Sequence, residues 1–306
     1  MGGKKDVSEL ASWFLECRKA LQKVMRKKTS NNWGYWYDVL FPEQEWKDSD
    51  PLPARMCSRL IDFKSLTNNQ KKAYENILKY KCIGLDLDTP LYHYTTLGYL
   101  NEAIRHGGFL LSLPKDWSVN WEDTKFKNTI RSGKDITALG KGVGEGLMNY
   151  SYAMCWSLDE NNHGLLERVK KNHPGEPVVI LESNARKLLS AYITDNLSVL
   201  ACSLVRMKYL RNKQMKELML SFDDLQFGDA GTEAHHDSIS MTNIKFSQQK
   251  EVRLIYEVDF QHVTGTTVTM ENHKTNKRSK KLIVQIDLRS AINSVRVVAN
   301  DYLFTV

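Results

Sequence analysis

Cysteine is scarce in this chain. Only 5 of its 306 residues are cysteines, and no two of them are separated by just two residues, so the spacing fits neither a zinc site nor a disulfide framework. Long apolar runs are missing too. No stretch is apolar enough for long enough to cross a bilayer, and residues 1–30 are charged rather than signal-like. These absences predict a protein of the reducing cytoplasm, with no metal and no membrane partner.

Several nucleotide-binding and catalytic motifs are also missing. No GxGxxG follows a strand pattern, and the glycine-rich stretch at 140–146 is not followed by the Lys-Ser/Thr of a phosphate-binding loop. There is no GxSxG, and Cys155 lies in an apolar run, where a thiol is usually inert. His235 and His236 are adjacent, and adjacent side chains rarely reach one metal ion. These features argue against a doubly wound sheet, a serine or cysteine hydrolase and a zinc enzyme.

Acidic residues are outnumbered by basic ones, which gives a formal net charge of +7. Part of the excess is concentrated in two runs, at 18–28 and 273–281. The simpler interpretation of each run is a solvated helix face and a solvated loop. The alternative is a surface for nucleic acid or another polyanion, with some of the 7 tryptophans and 13 tyrosines available to stack on bases.

Hydrophobic periodicity divides the chain into two regions. Residues 7–28 and 67–81 have helical patterns, and the second begins with T-N-N-Q, which resembles a capping box. Short strand patterns with helices interspersed begin near residue 90 and continue to the end. We therefore expect a helical N-terminal region at 1–85 and an α+β domain at 86–306.

Two polar residues stand out in the strands of the second region. His93 lies inside the strand pattern LYHYTT, where it is either a buried structural histidine or a ligand-holding one. Glu251 begins the strand in QQKEVRLIYEV, in which Val252, Leu254 and Tyr256 are predicted on one face and Arg253, Ile255 and Glu257 on the other. Glu251 is either a surface glutamate paired with Lys250 or Arg253, or a carboxylate placed to bind a sugar hydroxyl and to stabilise positive charge at an anomeric carbon.

The order of the motifs adds a resemblance. LYHYTTLGYLNEAIRHGGFLLSLPKDW, CWSL, VRMKYL, IKFSQQKEVRLIYEV and VQIDLRSAINSVRVVAND occur in that order over about residues 90–300. This order resembles a widespread bacterial domain family of unknown function, whose members carry a YHYTSL-like strand and a later FxxExEVR motif. The strand motif that contains His93 and the motif in which Glu251 begins a late strand also look like the diphtheria-toxin-like and PARP-like branch of the ADP-ribosyltransferase superfamily.

That resemblance implies a fold, a co-substrate and two catalytic residues. The fold would be an ADP-ribosyltransferase-like core with a split mixed/antiparallel sheet, and the co-substrate would be NAD. His93 would hydrogen-bond a ribose hydroxyl, while the backbone around Tyr94 and Thr95 would hold the nicotinamide amide. Glu251 would bind the nicotinamide ribose and stabilise the oxocarbenium-like transition state.

The resemblance implies further contacts with NAD that stay open. Tyr94, Trp121 or Trp156 would stack on nicotinamide, and the residues do not favour one of the three. Arg253 would either steer the NAD pyrophosphate or pair with Glu251.

By the same resemblance, the activity would be mono-ADP-ribosylation of a macromolecule, either nucleic acid or protein. Such an activity would suit a bacterial toxin, with a neutralising antitoxin as partner, or an anti-phage effector. The alternatives are an NAD glycohydrolase, which uses water as the acceptor, and a non-catalytic nucleic-acid-binding module on the same fold.

Overall fold

The computed structural model describes residues 33–42, 60–113, 151–211, 240–258, 266–272, 277–299 and 302–305. Within these ranges the protein combines several helices with one large mixed sheet and one small sheet, so the expected α+β class is confirmed. The helical pattern at 7–28, the basic run at 18–28 and the His235–His236 pair lie outside the described residues.

Eleven of the described strands form the large sheet. In order across it lie β1 (Cys82–Ile83), β6 (Cys202–Arg206), β9 (Glu251–Glu257), β4 (Ser151–Ser157), β2 (Pro90–Thr96), β5 (Val178–Asn184), β12 (Ser294–Ala299) and β13 (Tyr302–Thr305). Three more strands branch from β4, namely β3 (Leu110–Ser112), β11 (Lys277–Ile283) and β10 (Thr266–Asn272). The pair β1–β6 is parallel and the other pairs of this sheet are antiparallel.

Helices and a small parallel sheet complete the described fold. The α-helices are α1 (Trp33–Leu40), α2 (Asn68–Lys81), α3 (Leu97–His106), α4 (His163–Asn172), α5 (Ala185–Tyr192), α6 (Asn196–Ala201) and α7 (Leu288–Ala291). A 3₁₀ helix, η1, spans Ile244–Gln249 and leads directly into β9. Strands β7 (Lys208–Leu210) and β8 (Met241–Asn243) pair in parallel beside it.

Local signals in the sequence explain where the first two long helices begin and end. The side chain of Thr67 accepts a hydrogen bond from the backbone N–H of Gln70, and the Gln70 side chain accepts one from the N–H of Thr67, which confirms the capping box before α2. Helix α3 ends at Gly107, whose φ of 69° is a left-handed conformation that glycine adopts without a Cβ penalty. This helix follows β2 with no intervening loop, so it projects from the end of the strand that carries His93.

The large sheet is split between β2 and β4. These strands share one residue pair, Tyr92 with Ser157, while the other end of β4 pairs with β3 through Ala153 and Ser112. The strands therefore diverge after Tyr92, and a gap opens between two halves of the sheet. One half contains β2, β5, β12 and β13, and the other contains β1, β6, β9 and β4 together with β3, β11 and β10.

The two faces of β9 pack differently, as the alternating sequence predicts. Val252, Leu254 and Tyr256 lie in the main hydrophobic core, whereas Ile255 belongs to a small cluster on the other face. Glu251 and the polar residues of β9 share the face of Ile255. The described helices α1 and α2 contribute to the same main core as the sheet, and the boundary proposed at residue 85 stays a prediction.

The basic run at 273–281 is not simply a loop. Residues 277–281 form the first part of β11, which pairs with β10 over seven positions. The interpretation of this part as a solvated loop is therefore wrong, because a neighbouring strand at 266–272 provides its backbone partners. The side chain of Lys281 is half-buried and donates a hydrogen bond to Ser112 Oγ at 2.7 Å.

Glu257, at the far end of β9, gives a prediction about stability. Burial raises the pKa of this carboxyl from 4.5 to about 7, and Oε1 has no hydrogen-bond partner among the described residues. Because the folded-state pKa lies above the unfolded value, the stabilising contribution is complete below pH 4.5 and is lost as the pH rises through about 7. Glu257→Gln, which cannot ionise, should therefore gain up to about 3 kcal/mol in free energy of unfolding over wild type above pH 7.

Urea denaturation of wild type and Glu257→Gln at pH 4.5, 6 and 8 would measure this difference. Glu167→Gln, at an exposed position of α4, is the surface control. A free-energy difference between wild type and Glu257→Gln that stays constant over this range would contradict the prediction.

Candidate functional site

A cleft of about 410 Å³ opens at the split in the sheet, a size within the usual range for small-molecule sites. The end of β2, helices α3 and α4, strand β4, η1 and the start of β9 contribute to its walls. Among the residues singled out by sequence, the described ones all line it: His93, Tyr94, Thr95, Trp156, Glu251 and Arg253. The remaining candidate, Trp121, lies outside the described residues.

His93 bridges the gap between the two halves of the sheet. Its Nδ1 lies 2.7 Å from the backbone carbonyl of Cys155 on β4. A carbonyl only accepts, so Nδ1 carries the proton and donates. Burial lowers the pKa of His93 to about 4, so the ring is neutral at pH 7 and its Nε2 is an unprotonated acceptor. Within the described part of the chain Nε2 has no hydrogen-bond partner, so it can accept a hydrogen bond from a ligand hydroxyl.

Glu251 is the first residue of β9 and lies on the wall of the cleft with a side chain 8% exposed. Its Oε1 accepts a hydrogen bond of 2.7 Å from Nε of Arg253, whose side chain is 3% exposed. Of the alternative of a surface glutamate paired with Lys250 or Arg253, the pair with Arg253 is present, but the surface position is wrong because Glu251 is buried, and Lys250 pairs with Asp159 instead. Among the described residues Oε2 of Glu251 has no hydrogen-bond partner, so the carboxylate keeps one oxygen for a ligand.

Registers show that these two acceptors approach the cleft from opposite faces of the sheet. Glu251 pairs with Ser157, which pairs with Tyr92, so these three share a face. His93 is one residue further along β2 and belongs to the other face, where its ring lies 5.4 Å from that of Trp156. In a continuous sheet the two would be separated by the backbone. The divergence of β2 from β4 lets both line one cleft.

The predicted stacking residues occupy different environments. Trp156 is 1% exposed and packs between His93 and Phe109, so it forms the floor of the cleft. The ring of Tyr94 packs in a small cluster, and its hydroxyl is within hydrogen-bond distance of the backbone carbonyl of Glu160. Tyr99, at the start of α3, is 37% exposed and also lines the cleft. The choice of the stacking residue stays a prediction, and Tyr99 joins the candidates.

Sequence reasoning missed the residues that α4 contributes. Leu165, Arg168, Val169 and Asn172 line the cleft at three- and four-residue spacing along one face of this helix. Arg168 is exposed and has no ion pair or hydrogen bond with another described residue. Asn162, the N-cap of the helix, together with that spacing is the sequence signal that indicates α4.

The structure adds two further observations on the described residues. They contain no group of three histidine, cysteine or acidic side chains that could hold a metal ion. In the same ranges, no helix has both the length and the apolar character needed to span a bilayer.

Comparison with known proteins does not extend this picture. Searches against protein-family models, curated proteins and solved structures give no significant match to the chain. The function is therefore argued from the chemistry of the cleft.

Proposed function

We propose that this protein is a mono-ADP-ribosyltransferase that uses NAD as co-substrate and modifies a macromolecule, either nucleic acid or protein. The observation that carries the proposal is the pair of free acceptors in one cleft, Nε2 of neutral His93 and Oε2 of Glu251. A ligand that satisfies both must present hydrogen-bond donors. Ribose hydroxyls do so, and the aromatic side chains that line the cleft, among them Tyr99 with 37% exposure, suit a flat heteroaromatic ring.

The chemistry follows from the negative charge of Glu251. In the proposed reaction the bond between C1′ of the ribose and the nicotinamide nitrogen breaks, and nicotinamide leaves with the electron pair. The positive charge that develops on the ribose is stabilised by the nearby carboxylate, while a nucleophile of the acceptor attacks C1′ and loses its proton. A charge held in a water-poor site stabilises such a transition state more strongly than one in bulk water.

In this proposal the phosphates of NAD contact cations other than Arg253, the residue that the sequence offered for this role. Arg253 is 3% exposed and pairs with Glu251, so its role is to hold the carboxylate. Arg168 on α4 and Lys281 on β11 also line the cleft and are positively charged. We assign the diphosphate to this more open part of the cleft, where Arg168 is exposed.

The test is release of nicotinamide from NAD by the purified protein, measured alone and with total cellular RNA or total cellular protein. We expect release that increases with one of the two acceptor pools, together with label from adenine-labelled NAD in that pool. Equal release without any acceptor would identify an NAD glycohydrolase instead. If no nicotinamide is released under any condition, the protein is not an NAD-cleaving enzyme and the binding-module alternative is favoured.

A further inference from the structure

The segment 157–162, which runs from the last residue of β4 to the N-cap of α4, donates hydrogen bonds to the backbone just before Glu251. Three consecutive carbonyls there each accept from it: Gln248 from Asn162 Nδ2 at 3.0 Å, Gln249 from Ser157 Oγ at 2.9 Å, and Lys250 from the N–H of Leu158 at 2.9 Å. All three donors lie within residues 157–162. The approach of the chain to Glu251 is thus fixed from one side by a single short segment.

The backbone at this point is one that needs such support. Lys250 has a φ of 45°, and among the described residues it is the only one other than glycine with a positive φ. This conformation turns the chain from η1 into β9. A residue in a sparsely populated conformation persists when its surroundings determine it, and such residues are frequent near functional sites.

Asn162 is the centre of this arrangement. The residue is 7% exposed, and its Oδ1 accepts a hydrogen bond from the N–H of Leu165, which caps α4. Its Nδ2 donates to Gln248, and its own backbone N–H donates to Tyr94 Oη at 2.8 Å. Tyr94 follows His93 on β2. Asn162 therefore connects the strand that carries His93 with the turn that precedes Glu251, across the split in the sheet.

We propose that Asn162 is a positioning residue that sets the placement of Glu251 relative to His93 for cleavage of NAD. The inference rests on the proposed function for its catalytic part. Asn162 acts through the backbone before Glu251 and not through contact with the substrate. Because the positions of the reacting groups are critical to about 1 Å, loss of this connection should lower kcat more than it weakens binding.

Asn162→Asp separates the two roles of the side chain. Aspartate caps a helix about as well as asparagine, so α4 keeps its N-cap. The donor Nδ2 is replaced by an oxygen that faces the Gln248 carbonyl and repels it. We expect kcat for nicotinamide release to fall between about 10- and 100-fold, with the KM for NAD within a factor of about three. We also expect faster amide hydrogen exchange in peptides covering residues 244–251.

Asn184→Asp is the matched control. Asn184 caps α5 in the same way, through a hydrogen bond from the N–H of Lys187, and does not line the cleft. It should keep wild-type kcat and wild-type exchange at 244–251. Ser157→Ala removes the donor to Gln249 together with the oxygen that accepts from the Asp159 N–H. It should shift both readouts in the direction of Asn162→Asp, and it provides a second variant if Asn162→Asp does not fold.

The outcomes separate the two proposals. If wild type is active and Asn162→Asp has unchanged kcat or unchanged exchange, the role of Asn162 is overturned and the proposed function is not. A wild type that releases no nicotinamide would overturn the proposed function and the catalytic part of this inference together, while the exchange measurement would still report whether Asn162 holds the turn.

Discussion

Replacing Glu251 by glutamine should reduce nicotinamide release from NAD by at least about 100-fold. Removal of one electrostatic contact to a developing charge commonly costs 10²- to 10³-fold in rate, and here the contact is a full negative charge. Glutamine has nearly the shape of glutamate and can still accept a hydrogen bond from Arg253 through Oε1. Single-turnover measurement of nicotinamide at saturating NAD would report the loss in the chemical step.

Glu251→Gln should also lower the stability of the fold, because it leaves the charge of Arg253 buried. Arg253 is 3% exposed, and breaking a buried ion pair by removing one partner costs roughly 3–5 kcal/mol. Glu251→Gln is therefore expected to melt at a lower temperature than wild type, and its folding must be checked by circular dichroism. The double variant Glu251→Gln with Arg253→Gln removes both charges and should recover part of that stability while remaining inactive.

The same strand provides a matched control. Glu257 lies six residues along β9 on the same face as Glu251, and it does not line the cleft. Glu257→Gln makes the same substitution at a second buried carboxyl group of this strand and should keep nicotinamide release within about twofold of wild type. Activity of Glu251→Gln close to that of Glu257→Gln would show that Glu251 is not the catalytic carboxylate.

Local patterns were sufficient to predict much of the described fold. The alternation in β9 gave the correct two faces, because side chains on a strand alternate regardless of what packs against them. The cap at Thr67 and the glycine after α3 marked helix ends for similarly local reasons. The pairing of Glu251 with Arg253 was also predicted, as one of two alternatives, since residues two apart on a strand share a face.

The long-range features of the cleft could not be obtained in this way. The partner of His93 is a carbonyl 62 residues later, and it is available only because β2 and β4 diverge there. The connections of Asn162 reach Tyr94 and Gln248, 68 and 86 residues away. These contacts depend on which strands are neighbours in the sheet. Local sequence patterns do not specify that order.

Variants of His93 should separate its structural role from its role in binding NAD. His93→Asn places an amide nitrogen near the position of Nδ1, so it can still donate to the Cys155 carbonyl, but it has no atom at the position of Nε2. We expect about a tenfold weaker affinity for NAD, which corresponds to one lost hydrogen bond of about 1.4 kcal/mol. Titration calorimetry in the Glu251→Gln background, where NAD is not consumed, would measure it.

His93→Ala is the informative comparison. It loses Nε2 and also the hydrogen bond that Nδ1 donates to the Cys155 carbonyl, and loss of a buried hydrogen bond costs roughly 1–3 kcal/mol of stability. The affinity for NAD should therefore be similar in the two variants, while only His93→Ala should show a clearly lower free energy of unfolding. If His93→Asn binds NAD as tightly as wild type, His93 is a structural histidine and does not hold the ribose.

The low pKa of His93 gives the same hypothesis a pH dependence. Burial lowers the pKa of this ring from 6.5 to about 4 in the folded protein. Its contribution to stability is therefore fully present above pH 6.5 and is lost as the pH falls from 6.5 through about 4. Between pH 5.5 and 8 the folded protein keeps Nε2 unprotonated, so the affinity for NAD should show no inflection near pH 6.5. An inflection there that disappears in His93→Asn would mean that the ring takes up a proton in the cleft and binds NAD as a donor, in conflict with its neutral, acceptor role.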